Sequence, residues 1–111
     1  MVTHISDMPA LDLGGGVTRH VMSHDGAMMA VTVDFETGAV GAVHAHPHRQ
    51  VTCCVSGRFR LTLGEETCEI AAGDTYVCAP DEPHGVTCLQ AGRLIDVFTP
   101  EREDFLTPAE G

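Results

Sequence analysis

The strongest constraint on the fold of this chain is its division into short runs of alternating apolar and polar residues, each ended by turn-forming residues. Successive side chains of a β-strand point to opposite faces, so such runs predict half-buried strands. The predicted strands are Val17 to Ser23, Met28 to Phe35, Val40 to His46, Val51 to Val55, Phe59 to Leu63, Thr67 to Ile70, Thr75 to Cys78, His84 to Cys88 and Arg93 to Phe98. Turns such as Glu36-Thr37-Gly38 and Ala91-Gly92 separate them. Many short strands at this spacing, without an extended helical period, indicate an all-β sandwich or barrel.

The length of 111 residues favours one domain, because two hydrophobic cores are implausible at this size. We expect a single domain over residues 1–111, with the barrel at about residues 17–98 and a short C-terminal segment at residues 99–111. Within that segment, Glu101 to Glu110 could form a short terminal turn.

Several features predict a cytoplasmic protein that does not enter a membrane. The chain has no run of 18 apolar residues that could span a bilayer. Its N-terminus has neither a basic region nor a long apolar region, so we expect no signal peptide. The five cysteines are an odd number without a CxxC pair, which predicts reduced thiols. Their spacing matches no zinc module.

The charge balance constrains the partners. Sixteen acidic residues face six basic ones, all arginine, for a net charge of −10. Such a surface repels phosphate backbones, so nucleic-acid binding is not expected. It also repels small anions, and an anionic substrate would therefore need a local positive site such as a metal dication or a buried arginine.

A dense cluster of candidate metal ligands lies at His44-Ala45-His46-Pro47-His48-Arg49-Gln50, and His84 follows further along the chain. Neutral imidazole is the commonest metal ligand in proteins. Alternate residues of a strand share a face, so His44 and His46 can point at one ion. Pro47 interrupts a regular ladder and favours a bend that returns Gln50 towards the same point. The alternative for an isolated HxH is a solvated polar turn.

The spacing of these residues resembles the two motifs of the cupin family. The first motif is matched by Gly38, then His44 and His46, then Gln50 in place of the usual Glu, then Gly57. The second motif is matched more loosely, at Gly73, Asp74, Pro83 and His84, whereas Ala79 stands at its Pro, Asp81 at its second Gly and Cys88 at its final Asn. The resemblance covers about Val17 to Phe98 and implies a small double-stranded β-helix, or jelly-roll barrel, with an ion inside one end.

The resemblance implies that His44, His46, Gln50 and His84 hold one divalent metal ion, which could be Ni, Zn, Fe or Mn. The motif leaves His48 unassigned, with a substrate-facing role favoured over a ligand role. Three imidazoles and a carboxamide are all neutral, so a dication would keep its full charge and polarise an oxygen strongly. This set departs from the two-histidine, one-carboxylate set of oxygen-activating iron.

The C-terminal part, Leu94 to Leu106, and the run His44 to Gln50 are similar to the small KdgF-type cupins of pectin and alginate breakdown. That resemblance implies linearisation, by ring opening, of 4,5-unsaturated uronate monomers to 4-deoxy-5-keto-uronate. It carries acid/base and substrate roles over to Asp96, Phe98 and Arg102. Asp96 shares its strand parity with Leu94 and Phe98, which predicts an inward carboxylate.

Each of these three residues could instead have an ordinary structural role. Asp96 could be a solvated edge residue, Phe98 a core plug, and Arg102 a partner in an ordinary salt bridge. Two other functions also stay open: a metal-dependent dioxygenase acting on a small molecule, and a non-catalytic cupin that binds a small ligand or sugar.

We expect a homodimer in which the segment Val17 to Ser23 extends a neighbour's sheet.

Overall fold

The alternating runs fold into antiparallel β-strands, in a computed structural model that describes residues 1–106. A 3-10 turn at Ile5–Asp7 precedes the strands, and the helix α1 (Glu103–Leu106) follows them. The strands are β1 (Leu11–Gly14), β2 (Val17–His24), β3 (Met29–Phe35), β4 (Val40–His44), β5 (Arg49–Leu63), β6 (Glu66–Ala71), β7 (Thr75–Cys78) and β8 (His84–Thr99). No helix within these residues is long and apolar enough to cross a membrane.

Two long strands, β5 and β8, organise the barrel because each takes part in both of its layers. The first half of β5 pairs with β7 and with the second half of β8, which continues to β3, β2 and β1. The second half of β5 pairs with β6 and with the first half of β8, which continues to β4. The predicted all-β jelly roll is therefore confirmed.

The hydrophobic core fills the space between the two layers. Met29 and Val31 of β3 and Phe98 of β8 are almost completely buried, as are Phe59 and Leu61 from the second half of β5. All of them belong to one cluster. Their positions follow the period of two in the sequence, so the inward face of each strand is the apolar face.

The prediction of four separate strands across β5 and β8 is wrong at two places. Val51 to Val55 and Phe59 to Leu63 are joined in β5, and the predicted turn at Ala91-Gly92 lies inside β8. The two strands bend together where Gly57, with φ of 81°, lies against Gly92, and their register shifts there. Glycine permits this crossing because a side chain at either position would collide with the opposite backbone.

Replacing Gly92 with Ala should destabilise the barrel by at least about 3 kcal/mol, the upper end of the cost of overpacking. A Cβ at this position would overlap the backbone of Ser56 and Gly57, which cannot rotate away as a side chain can. Denaturant unfolding in the presence of a chelator measures the effect without metal-linked stability. The control is Gly73→Ala, where a Cβ meets nothing within 4 Å and the cost is only the backbone strain of a φ of 93°, about 1–2 kcal/mol. Equal losses in both variants would contradict the steric account.

The N-terminal edge of the barrel also differs from the prediction. The sequence predicted no strand at Leu11–Gly14, whose residues are all exposed and therefore give no buried pattern. This strand pairs with β2, so the segment Val17 to Ser23 lies between β1 and β3 and is not a free edge. β4 ends at His44 rather than His46. Of the predicted terminal turn, residues 103–106 form α1, and residues 107–110 lie outside the described residues.

Candidate metal centre

Three histidines converge at one end of the barrel. His44 is the last residue of β4, His46 follows it in the loop, and His84 begins β8 directly opposite His44 in the register. One ring nitrogen from each of the three lies within 4.8 Å of the others. Bonds of about 2.1 Å to a single ion place its ligands roughly 3 to 4 Å apart. The cluster can therefore hold one metal ion after small adjustments of the rings.

Local hydrogen bonds explain how two separate loops meet at this point. The Asp81 N–H donates to the His46 carbonyl oxygen at 2.7 Å, tying the β7–β8 loop to the β4–β5 loop. The Ala79 N–H donates to the Glu82 carboxylate, which closes the turn before His84. Asp81 has φ of 64°, in the left-handed region that Asp tolerates better than most residues. This explains how the turn forms without the glycine of the cupin motif.

The main chain fixes the orientation of all three imidazoles. The Nδ1 of His44 lies 2.8 Å from the Ala42 carbonyl oxygen. The Nδ1 of His84 lies 2.9 Å from the Glu82 carbonyl oxygen. The Nδ1 of His46 lies 3.0 Å from the His48 carbonyl oxygen. A carbonyl oxygen only accepts, so each Nδ1 carries the proton and each neutral ring presents an Nε2 lone pair.

The donor atoms left by this arrangement fit a cation. The Nε2 of His84 is buried without a hydrogen-bond partner. The Nε2 of His46 lies 3.0 Å from Gln50 Oε1, although both atoms are acceptors when the proton of the neutral His46 ring is on Nδ1. Gln50 is held in this orientation because its amide nitrogen donates to Thr52 Oγ1 at 2.8 Å. Lone pairs that face each other in a buried site are what a shared metal ion would satisfy.

Electrostatics favour the metal-binding state of two of the ligands, His46 and His84. Burial lowers the pKa of His46, and the nearby charge of Arg102 lowers it further. Burial likewise lowers the pKa of His84 more than its hydrogen bond to Glu82 raises it. Neutral imidazole is the ligand form, so these shifts favour metal binding over protonation.

A cavity of about 310 Å³ opens beside the histidines and suits a small molecule. Its lining includes His44, Gln50 and His84 together with Asp96, Phe98 and Arg102. The structure therefore brings together the predicted metal ligands and three of the predicted catalytic and substrate residues. Apolar side chains from β1, β2, β3, β4 and β8 line much of the remainder.

Asp96 is the acid/base candidate with the most altered environment. Its Oδ1 accepts hydrogen bonds from Thr52 Oγ1 at 2.6 Å and from Gln50 Nε2 at 3.3 Å. Burial raises the pKa of Asp96 to about 6, against the opposing effects of the Thr52 hydrogen bond and of nearby positive charges. A carboxyl group with this pKa can exchange a proton near neutral pH. The inward parity predicted for Asp96 is confirmed, because Leu94 and Phe98 of the same strand are buried beside it.

Arg102 forms the ordinary salt bridge that was one of its two predicted roles, and it also lines the cavity. Its Nε and one terminal nitrogen bind the Asp104 carboxylate at 3.0 and 2.8 Å, as in an ordinary salt bridge. The same guanidinium lies in the cavity wall, over the rings of Phe98 and Phe105. Its other terminal nitrogen makes no hydrogen bond to a described residue and is available to a ligand.

His48 lies behind the site rather than in the cavity wall described for residues 1–106. Its side chain is buried, its Nε2 lies 3.5 Å from a Glu103 carboxylate oxygen, and its ring packs near those of His46 and Phe98. It is not part of the three-histidine cluster. This position supports a packing role behind Phe98 more than the predicted contact with substrate.

Sequence reasoning missed three residues of this cavity and its hydrogen-bond network. Arg19 and Tyr76 line the cavity, and Thr52 connects Gln50 to Asp96. A signal for Arg19 was present, because it shares the parity of Val17 and Val21 on β2 and is therefore an inward-facing charge. Thr52 could have been found in the same way, because it lies two residues from Gln50 on β5 and therefore on the same face of the strand.

The fold and the site together define a jelly-roll barrel with a histidine metal centre inside one end. The family profile of the cupin domain matches residues 31–98, and the chain belongs to the cupin family.

Full-length relatives share both sequence and structure with this chain. It is 36% identical over 102 residues to the pectin degradation protein KdgF of Dickeya dadantii (strain 3937), a match that covers 90% of this chain and 93% of the relative. An RmlC-like cupin from Shewanella frigidimarina NCIMB 400 superposes with a TM-score of 0.90 at 38% identity, covering 94% of each chain. KdgF from Halomonas sp. superposes with a TM-score of 0.90 at 32% identity, covering 95% of this chain and 97% of that one.

Proposed function

We propose that this protein linearises 4,5-unsaturated uronate monomers, the products of pectin and alginate lyases, to open-chain 4-deoxy-5-keto-uronates. The observation that carries the proposal is the Asp96 carboxyl group, which shares one cavity with three converging histidines and an arginine. The names of two similar proteins support it, since both are called KdgF and one is described as a pectin degradation protein.

The reaction is an isomerisation that moves one proton and needs no electron transfer. Loss of the proton from the C1 hydroxyl forms the aldehyde and breaks the bond from C1 to the ring oxygen. The electron pair of that bond leaves an enolate at C5. Protonation of C4 then gives the C5 ketone, so the atoms of the product equal those of the substrate. A group that takes a proton and delivers one is therefore sufficient for the acid/base part.

His44, His46, Gln50 and His84 would hold the metal ion, and all four side chains are neutral in the form that binds. A dication bound there would polarise a substrate oxygen without changing its own oxidation state. The protein's part is to keep the four donor atoms aimed at one point, which the backbone carbonyls and Thr52 accomplish.

Three other residues that line the same cavity would act on the substrate directly. Asp96 would exchange the proton, because its Oδ1 is fixed by Thr52 and its Oδ2 makes no hydrogen bond to a described residue. Phe98 would form an apolar wall for the sugar ring, since its buried ring lies between His46 and Phe105. Arg102 would bind the uronate carboxylate through the nitrogen that Asp104 does not occupy.

The direct test follows unsaturated monomers from pectate and alginate lyases by NMR, with metal-loaded protein and with buffer alone. The proposal expects faster appearance of the open-chain keto-uronate than the spontaneous reaction gives. The rate should be the same under anaerobic conditions, because no oxygen is consumed. An unchanged rate for both kinds of monomer would rule out the function and leave the metal centre standing.

We also propose a homodimer, formed through β1, the exposed strand at one edge of the larger layer. Leu11 and Leu13 are each 47% exposed there, and an unpaired edge with apolar side chains favours pairing with a second copy. Light scattering at micromolar concentration should give about twice the chain mass of 11.8 kDa. A species of the single-chain mass alone would contradict this proposal.

We propose a cytoplasmic location for the protein. The five free cysteines support it, because reduced thiols are typical of that compartment.

A further inference from the structure

Arg19 is the charged side chain of the cavity that neither the metal centre nor the proposed acid/base step uses. It lies on β2, opposite Val33 of β3, and its side chain forms part of the cavity wall. Val17 and Val21 flank it on the same face of the strand and pack into the core. An arginine at such a position occupies a site that the strand pattern otherwise reserves for apolar residues.

Among the described residues, Arg19 has an aromatic support and the nearby charge of Asp104, but no carboxylate forms a salt bridge with it. Its guanidinium carbon lies 3.8 Å from the centre of the Phe105 ring, within the range of a cation–π contact. Its Nε is buried without a hydrogen-bond partner among the described residues. A buried donor that stays unpaired is costly, especially on a charged group. The donor is therefore placed for something that the folded chain does not itself supply.

A second guanidinium nearby makes an external anion the natural partner. Arg102 lies over the same ring, with its guanidinium carbon 4.2 Å from the centre of Phe105. Arg102 is compensated by Asp104 at 2.8 Å, whereas no salt bridge is found for Arg19 in residues 1–106. Burial and the charge of Arg102 both lower the pKa of Arg19, as expected for a cation crowded by another cation. An anion entering the cavity would relieve both the repulsion and the unpaired donor.

We propose that Arg19 is a substrate-binding residue that selects ligands bearing a carboxylate, acting together with the free nitrogen of Arg102. This deepens the proposed function, on which it rests, by assigning the acid recognition to two arginines stacked on Phe105. The ligand class is a small monocarboxylate with a polar ring, because both guanidinium groups line the cavity that the metal ligands His44, Gln50 and His84 also line. It also answers how a chain of net charge −10 retains an anion.

The experiment measures binding rather than turnover. Its probes are galacturonate and glucuronate, and the uncharged hexoses galactose and glucose are the corresponding comparison ligands. Calorimetry on metal-loaded wild type should show tighter binding of each uronate than of its hexose. In Arg19→Met, which keeps an apolar stem against Phe105, that preference should fall by about 10- to 100-fold, as expected for hydrogen bonds to a charged group. Arg19→Lys, which keeps the charge without the planar fork, should retain an intermediate preference.

A matched control separates recognition from general damage to the barrel. Arg93→Met removes a guanidinium that binds Asp34 at 2.7 Å outside the cavity lining, and it should leave the uronate preference unchanged. A structural role for Arg19 would lower the affinity for uronate and hexose alike, without changing their ratio. An unchanged ratio in Arg19→Met, or no uronate preference in wild type, would overturn the inference.

A measurement on wild type covers the case in which Arg19→Met does not fold. The side-chain N–H signal of Arg19 in the NMR spectrum should shift on addition of galacturonate and stay in place on addition of galactose. An unshifted signal at saturating galacturonate would overturn the inference. Binding of uronate by Arg19 with no acceleration of ring opening would leave this inference intact and reject only the proposed reaction.

Discussion

Replacing Asp96 with Asn should slow ring opening by about 100- to 10,000-fold, the usual contribution of a general acid/base group. Asparagine is nearly isosteric and can still accept from Thr52, so the network behind the cavity should persist. It cannot exchange a proton near neutral pH. The rate of keto-uronate appearance, followed by NMR at saturating substrate, measures the effect.

The matched control for this loss is Asp34→Asn, the same chemical change on β3 outside the lining of the main cavity. Asp34 pairs with Arg93, and the variant should keep wild-type activity at a small cost in stability. Both variants should bind one metal ion per chain. If Asp96→Asn retained more than a tenth of the wild-type rate, Asp96 would not be the proton-exchanging group.

Replacing His46 with Ala should abolish tight metal binding and remove the stability that the metal provides. Binding to the folded state alone stabilises it by about 2.7 kcal/mol at a free metal concentration of 100 times Kd. Wild type should therefore show a large fall in Tm on addition of a chelator. His46→Ala should unfold at the same temperature with and without the chelator, and its metal content by elemental analysis should be near zero.

His48→Ala is a closely matched control for this variant. The two histidines are two positions apart and almost equally buried, at 7% exposure for His46 and 6% for His48. His48 lies outside the three-histidine cluster, so His48→Ala should keep the metal and the chelator-dependent Tm. Loss of metal from His48→Ala would assign it as a ligand and reject the four-residue set proposed here.

The parts of the fold and site that depend on local pattern could be predicted from the sequence. The period of two placed Leu94, Asp96 and Phe98 on one inward face, and the structure confirms it. The HxH spacing and the bend at Pro47 predicted converging ligands, and His44, His46 and His84 do converge. These features depend on strand parity and on motif spacing, which are both visible in a single sequence.

The parts that depend on contacts between distant segments could not be predicted in the same way. Gly57 and Gly92 look like turn residues, but they face each other across β5 and β8 and let two long strands bend without ending. Arg19 has an inward parity, but its support comes from Phe105, near the far end of the chain. The chemistry of such positions is set by which neighbour the fold brings to them, and strand parity does not identify that neighbour.

The carbonyl oxygens that receive the Nδ1 protons of His44, His46 and His84 belong to Ala42, His48 and Glu82. Each of these acceptors is a main-chain group, so a point mutation at those positions changes the side chain and leaves the acceptor in place. The orientation of the three imidazole rings therefore does not depend on which side chains occupy these positions. Asp96, Phe98 and Arg102, by contrast, contribute to the cavity through their side chains, so substitutions there can change what the cavity binds while these three acceptors stay in place. A barrel arranged in this way can change its substrate through single substitutions in the cavity while it keeps the same metal ligands in the same orientation.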